Sequence, residues 1–397
     1  MIYLDHAATT PVAREVADTM YDVLLNGSGN PSSQYPYGAA AKKRLEADRA
    51  VIAAALGCKP DELYFTSCGT ESDNWAIRLA AHQNRRVGKH IITTAVEHSA
   101  VLEPCRQLEQ EGYAVTYLAP DRQGNITAQQ VADALREDTA LVSVMLVNNE
   151  TGCVFPVVEI ARLLRERGSR ALLHTDAVQA FLKLPFRADT LGADLISVSG
   201  HKLNAPKGVG ALYIRSGVKT GKILTGGHQE RGMRGGTTNV PGVVGMAEAL
   251  RLAVAKLDEN AAYISSLRDR FIARVQKEIP FVKLNGHPKN RLPSNANFSF
   301  RYVEGESLLF SLDLAGIAVS SGSACSSGSL EPSHVLLATG MSEGLAHGSL
   351  RFSFGRENTA EDVDYTVDKL KEIVVKLRNL SPLFPKDMKN EVFEKGE

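Results

Sequence analysis

The chain has 397 residues, of which 44% are hydrophobic and 23% are charged, and its 45 basic side chains balance 45 acidic ones. This composition excludes wholesale disorder, and the balanced charge leaves no basic excess to attract nucleic acid or anionic lipid. No apolar stretch approaches the ~20 residues of a membrane helix, and the N-terminus lacks a secretory-signal pattern. Five scattered cysteines without a C-x-x-C pair fit a reducing compartment. We therefore expect a cytoplasmic enzyme.

Short apolar runs alternate with amphipathic stretches from about residue 62 to residue 215. Strands are predicted at 63–66, 90–94, 114–119, 141–147, 171–175, 195–199 and 210–214, and helices at 73–84, 100–111, 128–136 and 157–167. The apolar runs are rich in Val, Ile and Leu and scarcely alternate, which is typical of strands buried on both faces. The pattern predicts an α/β fold with a large, mostly parallel sheet.

The pattern changes after two helical stretches at 243–257 and 261–279. Strands are predicted at 281–284, 297–302 and 350–354, and helices at 307–314 and 360–380. This mixture indicates a smaller α+β domain. We place residues 13–259 in the large domain, and residues 1–12 and 260–397 in the small one, which carries a Gly/Ser-rich loop at about 320–333.

Three motifs of the large domain lie where predicted strands end. Lys202 follows the strand at 195–199, and a partly desolvated lysine there can form a Schiff base. Asp176 follows the strand at 171–175, and such a carboxylate can keep a pyridine nitrogen protonated, with Gln179 near the phenolic oxygen. The small-residue loop at 67–72 opens a helix, so its N–H groups can bind a phosphate. Capping, ion pairing or solvation would explain each motif alone, but together they describe a pyridoxal 5'-phosphate site.

The chain carries LDHAATT at 4–10, GNPSS at 29–33, NNETG at 148–152, SGHK at 199–202 and SGSAC at 321–325. With these motifs it resembles the cysteine desulfurases of the NifS/IscS type over nearly its full length. The resemblance implies the aspartate-aminotransferase-like fold type I, a pyridoxal 5'-phosphate cofactor and conversion of L-cysteine to L-alanine. A persulfide on Cys325 would pass to an Fe–S scaffold protein or another sulfur acceptor, in housekeeping or in nitrogenase-cofactor assembly.

The resemblance also implies individual roles. Lys202 would hold the cofactor, Asp176 its ring nitrogen and Gln179 its phenolic oxygen, while His98 would stack on the ring as an acid/base. The phosphate would be bound by Gly69, Thr70, Ser199, His201 and, from the second subunit of a homodimer, Thr238. Asn149 and Arg351 would bind the substrate carboxylate. Alternation along the strand at 350–354 points Arg351 away from the core, although a surface ion pair explains this arginine equally well.

Cys325 lies in the sequence SSGSACSSGS, which offers little to bury, so we expect an exposed loop that carries sulfur outward. The other four cysteines are expected to be small buried side chains. No metal is expected in the active site, although Cys325 could contact a nascent Fe–S cluster on a partner. Two alternatives stay open: a selenocysteine lyase or aminotransferase on the same scaffold, and a thiol-bearing scaffold for Fe–S assembly without turnover.

Overall fold

The computed structural model of the chain describes residues 1–27, 29–321 and 331–385. Cys325 and most of the predicted loop at 320–333 therefore lie outside the described residues. The strands are β1 (Ile2–Tyr3), β2 (Leu63–Thr66), β3 (His90–Thr94), β4 (Ala114–Leu118), β5 (Thr139–Ser143), β6 (Leu172–Asp176), β7 (Leu195–Ser199), β8 (Gly210–Ile214), β9 (Val282–Asn285), β10 (Asn295–Phe300), β11 (Ile317–Ala318), β12 (Ser320–Ser321) and β13 (Ser349–Ser353). The helices are α1 (Arg14–Asn26), α2 (Pro36–Leu56), α3 (Gly69–Asn74), α4 (Ala80–Gln83), α5 (Ser99–Gln110), α6 (Ala128–Ala134), α7 (Val157–Glu166), α8 (Ala188–Leu191), α9 (Val240–Val254), α10 (Leu257–Glu278), α11 (Gly305–Leu314), α12 (His334–Ala338), α13 (Glu343–His347) and α14 (Ala360–Leu380).

The larger sheet has the strand order β2-β8-β7-β6-β5-β3-β4. It is parallel except for β8, which pairs antiparallel with both β2 and β7. Every residue of β3, β5, β7 and β8 is buried, which explains why these strands do not alternate in the sequence. The predicted α/β fold with a mostly parallel sheet is confirmed.

The neighbouring strands β6 and β7 bring the predicted cofactor residues to one edge of this sheet. They pair in parallel, with Asp176 opposite Ser197, so their carboxyl ends meet. A short 3₁₀ turn, Gly200–Lys202, follows β7 directly. In open α/β sheets this edge is where ligands bind.

The C-terminal part of the chain forms a four-stranded antiparallel sheet, β12-β13-β10-β9. Its core is aromatic: the Phe271 ring lies 4.6 Å from the Phe352 ring and 5.5 Å from the Phe354 ring, centroid to centroid. The N-terminal segment joins this region, since β1 pairs with β11 and Asp5 bridges to Ser353. The division at residues 259 and 260 stays a prediction, and that position lies in the first turn of α10.

Two long helices near the N-terminus, α1 and α2, were not predicted. In α2 many apolar positions are alanines, so the sequence has no strong apolar stripe to reveal a helical period. The predicted helix at 73–84 begins four residues earlier, at Gly69, and contains a π-helical turn at Trp75–Leu79. In the described part of the chain, no helix is both long enough and apolar enough to cross a bilayer.

Candidate active site

A cavity of about 220 Å³ lies at the carboxyl edge of the larger sheet. It is lined by most of the predicted site residues: Gly69, Thr70, His98, Asn149, Asp176, Gln179, Ser199, His201 and Lys202. Thr238 and Arg351 do not line it. Residues as far apart in sequence as Gly69 and Lys202 thus share one wall because the segments that carry them follow strands of one sheet.

Lys202 is held at the cavity wall by the N-terminal segment. Its Nζ donates hydrogen bonds to the carbonyl oxygens of Ala7, at 2.7 Å, and Ala8, at 2.5 Å. The amide Nε2 of Gln179 donates to the same Ala7 oxygen at 2.9 Å. Two predicted cofactor ligands therefore meet at one backbone carbonyl, which fixes their side chains relative to each other.

Asp176 is buried at the end of β6, and its Oδ1 accepts a hydrogen bond of 2.8 Å from the Val178 N–H. Burial, reinforced by the nearby Asp73 carboxylate, raises the pKa of Asp176 to about 7, while Lys202 acts in the opposite direction. A buried carboxylate with a raised pKa favours a cationic partner. A protonated pyridine nitrogen would be such a partner.

Asp73 and His174 were missed as site residues. Asp73 lines the cavity, and its Oδ1 lies 3.5 Å from Nε2 of His174. The His174 ring also bonds the hydroxyls of Ser143, at 2.9 Å, and Ser197, at 3.1 Å. Burial raises the pKa of Asp73 to about 7 and lowers that of His174 to about 4. The sequence feature that could have identified Asp73 is its position four residues after Gly69, which puts both residues on the same face of α3.

His98 caps the N-terminus of α5, where its Nδ1 accepts a hydrogen bond of 3.1 Å from the Ala100 N–H. Burial lowers its pKa to about 4, assisted by the positive charges of Lys202 and Arg351. The imidazole is therefore neutral near pH 7, and because Nδ1 is an acceptor, the proton lies on Nε2. A neutral ring suits a residue that stacks on a cofactor and exchanges protons.

The remaining wall fits an anionic group. The buried Ser199 hydroxyl has no hydrogen-bond partner among the described residues, and neither does Oδ1 of Asn149. A Cβ atom added at Gly69 would lie 2.8 Å from a methyl group of Val178, so a larger residue would crowd the start of α3. Orphaned buried polar atoms call for a ligand, and a phosphate suits a helix start with free N–H groups. The residues present therefore fit pyridoxal 5'-phosphate.

Arg351 is a buried residue. It is 1% exposed, which excludes a surface ion pair, and it is not among the residues that line the cavity described above. Its Nη2 lies 3.0 Å from Oδ1 of Asp5, and its Nη1 donates to the Asn149 carbonyl at 2.9 Å. Alternation of apolar and polar residues along a strand predicts one buried and one exposed face, but both faces of β13 are buried.

The cysteines of the described region differ from expectation in one respect. Cys105 and Cys153 are buried, whereas Cys58 and Cys68 are only partly buried. Cys68 lines the cavity, and all four are free thiols. A test for a persulfide on Cys325 must therefore also distinguish the thiol of Cys68.

Comparison with known proteins places this site in a family. The aminotransferase class-V profile matches residues 2–366. The chain is 50% identical over 386 residues to a protein named cysteine desulfurase IscS from Methanosarcina thermophila, covering 97% of this chain and 95% of that protein. A second protein of that name, from Dictyoglomus turgidum, is 50% identical over 381 residues, which are 96% of each chain.

Solved structures agree with these relatives. A structure described as a NifS-like protein has a TM-score of 0.88 at 37% identity, over 94% of this chain and 99% of that one. A NifS-like protein from Rickettsia africae has a TM-score of 0.84 at 30% identity, over 94% and 99%. The chain therefore belongs to the aminotransferase class-V family, in its pyridoxal-phosphate-dependent cysteine desulfurase group.

Proposed function

We propose that this chain converts L-cysteine to L-alanine through Lys202, Asp176 and His98, and that Cys325 receives the sulfur as a persulfide. The observation that carries the proposal is the single cavity wall on which an amine, a buried carboxylate and a neutral imidazole converge. The sulfur would then pass to an acceptor protein for iron–sulfur cluster assembly.

The cofactor would be held by residues that already line the cavity. Lys202 would bind it covalently, Asp176 would face its ring nitrogen and Gln179 its phenolic oxygen. Its phosphate would be bound by Gly69, Thr70, Ser199 and His201. When bound, pyridoxal phosphate supplies an electron sink for the negative charge that develops at the substrate Cα.

The chain's own groups would move the protons and the sulfur. The Lys202 amine would take the substrate Cα proton, and His98, neutral near pH 7, would act as a second proton carrier. The Cys325 thiolate would attack the substrate sulfur, so that an S–S bond forms as the Cβ–S bond breaks. Cβ would gain a proton and Cα would regain the one it lost, so that the products are L-alanine and one persulfide.

Mass spectrometry after brief incubation with L-cysteine and no reductant tests the proposal. We expect one additional sulfur atom on the peptide that contains Cys325, together with released alanine. Cys325→Ser should lose both, whereas the matched variant Cys68→Ser, at the cavity wall, should keep the modified Cys325 peptide. Extra sulfur on Cys68 alone, or pyruvate in place of alanine, would contradict the proposal.

We further propose that the chain acts in the cytoplasm as a homodimer. Three apolar side chains of α1, Tyr21, Leu24 and Leu25, are exposed. Tyr37 at the start of α2 donates a hydrogen bond to the Asn26 carbonyl, so the exposed Tyr37 extends this apolar patch. Such a contiguous patch is typical of a protein interface.

The position of Thr238 supports this arrangement. Val240, two residues after Thr238, packs with Val23 of α1, the helix that carries the exposed apolar side chains, and Thr238 does not line its own chain's cavity. From there, Thr238 would reach the phosphate of the second subunit. Analytical ultracentrifugation should find a dimer for the natural chain and a monomer for Leu24→Glu, while a natural chain that sediments as a monomer would refute the proposal.

A further inference from the structure

The segment that carries Cys325 continues into described residues on both sides, and those residues contact the loops of the candidate active site. On its N-terminal side, Ser320 of β12 pairs with Arg351 of β13. On its C-terminal side, the start of α12 contacts the loop that carries Asn149 and the loop that carries His98. The function proposed above assigns no role to these contacts at α12.

Ser333 makes the first of the two contacts. It is the N-cap of α12, and its Oγ accepts a hydrogen bond of 3.2 Å from the Leu336 N–H. The same hydroxyl donates a hydrogen bond to Oε2 of Glu150. Both side chains are buried, and burial raises the pKa of Glu150 to about 7, although the Ser333 hydrogen bond and the charge of Arg351 act in the opposite direction. Water cannot readily replace a hydroxyl at a buried carboxylate, so this hydrogen bond is costly to break.

Glu150 is a fixed anchor because its backbone is held independently of Ser333. Its N–H donates a hydrogen bond of 3.0 Å to Oδ1 of Asn148. Its carbonyl oxygen accepts hydrogen bonds from Nδ2 of Asn295, at 3.2 Å, and from Nδ2 of Asn297, at 3.1 Å, both in β10. Removal of the Ser333 hydroxyl would therefore leave the loop that contains Glu150 in place.

His334 makes the second contact, with the loop that carries His98. Its Nε2 donates a hydrogen bond of 3.0 Å to the carbonyl oxygen of Glu97, the residue before His98. Burial lowers the pKa of His334, and a neutral imidazole with its proton on Nε2 can be such a donor. Two adjacent residues, Ser333 and His334, thus join α12 to both loops.

We propose that Glu150 is a positioning residue for sulfur transfer: its hydrogen bond with Ser333 holds the end of the Cys325 segment beside the proposed substrate site. The inference rests on the proposed function, in which the Cys325 thiolate attacks the substrate sulfur. Ser333 lies eight positions after Cys325, so an anchor there would limit the volume that the thiol can sample. A group held near its reaction partner reacts faster than one that must search for it. Glu150 does not line the cavity, so it would act only through Ser333.

Two rates of the holoenzyme test this inference, because only one of them needs Cys325. The first is the rate at which the Cys325 peptide gains sulfur from L-cysteine, measured by mass spectrometry of acid-quenched samples. The second is the exchange of the L-alanine Cα proton in D₂O, measured by proton NMR, which would use Lys202 but no thiol. We expect Ser333→Ala to slow the first rate about tenfold, for the loss of one charge-assisted hydrogen bond, and to leave the second rate unchanged.

Matched variants separate positioning from a loss of structure. Ser333→Thr keeps the hydroxyl and should restore the first rate. Thr359→Ala removes the N-cap hydroxyl of α14 at an exposed position and should change neither rate. Glu150→Leu should slow the first rate as Ser333→Ala does, and the double variant should be no slower than the slower single variant, because both substitutions remove the same bond. Visible absorbance of the cofactor and the melting temperature report that each variant is folded, and either single variant provides the comparison.

The outcome is decided by the ratio of the two rates. A first rate that Ser333→Ala leaves unchanged would overturn the inference. An equal loss in both rates would mean that the whole cavity is disturbed and would also overturn it, as would single-variant effects that multiply in the double variant. If the natural holoenzyme exchanges the alanine proton but adds no sulfur to Cys325, the proposed function is refuted, and this inference with it.

Discussion

The two ends of the candidate site are built in different ways. The cofactor end is assembled at the carboxyl edge of one parallel sheet, where Asp176 and Lys202 reach a common cavity wall. The proposed substrate end would use Arg351 from the antiparallel sheet, whose guanidinium is already ion-paired with Asp5. The first end presents the buried Ser199 hydroxyl, which has no hydrogen-bond partner among the described residues, whereas at the second end a protein carboxylate already pairs with the charge. The sheet edge would thus preorganise the proposed cofactor site, whereas a substrate carboxylate would compete with Asp5 for Arg351.

Among the variants proposed for the cofactor end, Lys202→Ala should have the largest effect. We expect kcat to fall by about 10²- to 10⁴-fold, the usual contribution of a proton-transferring side chain. The cofactor absorbance in the visible should also change, because the covalent attachment is lost. Lys207→Ala, an exposed lysine five residues away, is the matched control and should keep both properties. Full turnover by Lys202→Ala would mean that another amine performs this chemistry.

His98 should remain neutral in the folded chain throughout the range from pH 5 to pH 8. Its pKa is lowered from 6.5 to about 4 by burial and nearby positive charge. Below pH 6.5 the unfolded chain takes up a proton that the folded chain does not bind until about pH 4. The free energy of unfolding therefore decreases as the pH falls from 6.5 to about 4, and His98 accounts for on the order of 3 kcal/mol of this decrease.

Proton NMR of the imidazole, with His98→Asn to assign the resonance, measures this pKa directly. Chemical denaturation at pH 7 and pH 5 compares the stabilities of the natural chain and His98→Asn over the upper part of this window, where the expected difference is about 2 kcal/mol. An NMR titration centred near 6.5 would show that the ring is solvated rather than buried.

Asp176→Asn tests the charge at the base of the cavity. Replacing a charged hydrogen-bond partner costs about 1.5–3 kcal/mol, which corresponds to a roughly 10- to 100-fold lower kcat. Steady-state kinetics at saturating cofactor separate this effect from weaker cofactor binding. Asp61→Asn, an exposed carboxylate outside the cavity, is the control. An unchanged kcat would mean that the ring nitrogen does not need this carboxylate.

Most of the predicted cofactor-binding residues line one cavity, and this grouping can be predicted from the sequence for a physical reason. Strand-end positions such as Asp176 and Lys202 depend on local pattern alone, and parallel strands bring their carboxyl ends together whatever the loops do. Asp73 was missed because the start of α3 was placed four residues late. The Arg351–Asp5 pair was missed because it joins residues 346 positions apart, and no local periodicity encodes such a contact.

Asp5→Asn tests the proposed substrate end. We expect it to lower the stability of the chain but to strengthen substrate binding. The pair is largely buried, with side-chain exposures of 2% for Arg351 and 19% for Asp5, so the neutral amide leaves a buried guanidinium without its counter-ion. We expect the free energy of unfolding to fall by about 1–3 kcal/mol. Because L-cysteine no longer competes with a protein carboxylate for Arg351, KM should fall several-fold, by about 1 kcal/mol of binding.

The control for this variant is Asp18→Asn, which removes an exposed ion pair with Arg14 and should change neither quantity beyond about 0.5 kcal/mol. Chemical denaturation measures the stability, and initial rates of alanine release measure KM. A KM that rises in Asp5→Asn would show that Asp5 orients Arg351 for the substrate instead of competing with it. In that case the substrate end would be preorganised like the cofactor end, because the ion pair would hold the guanidinium in its binding position.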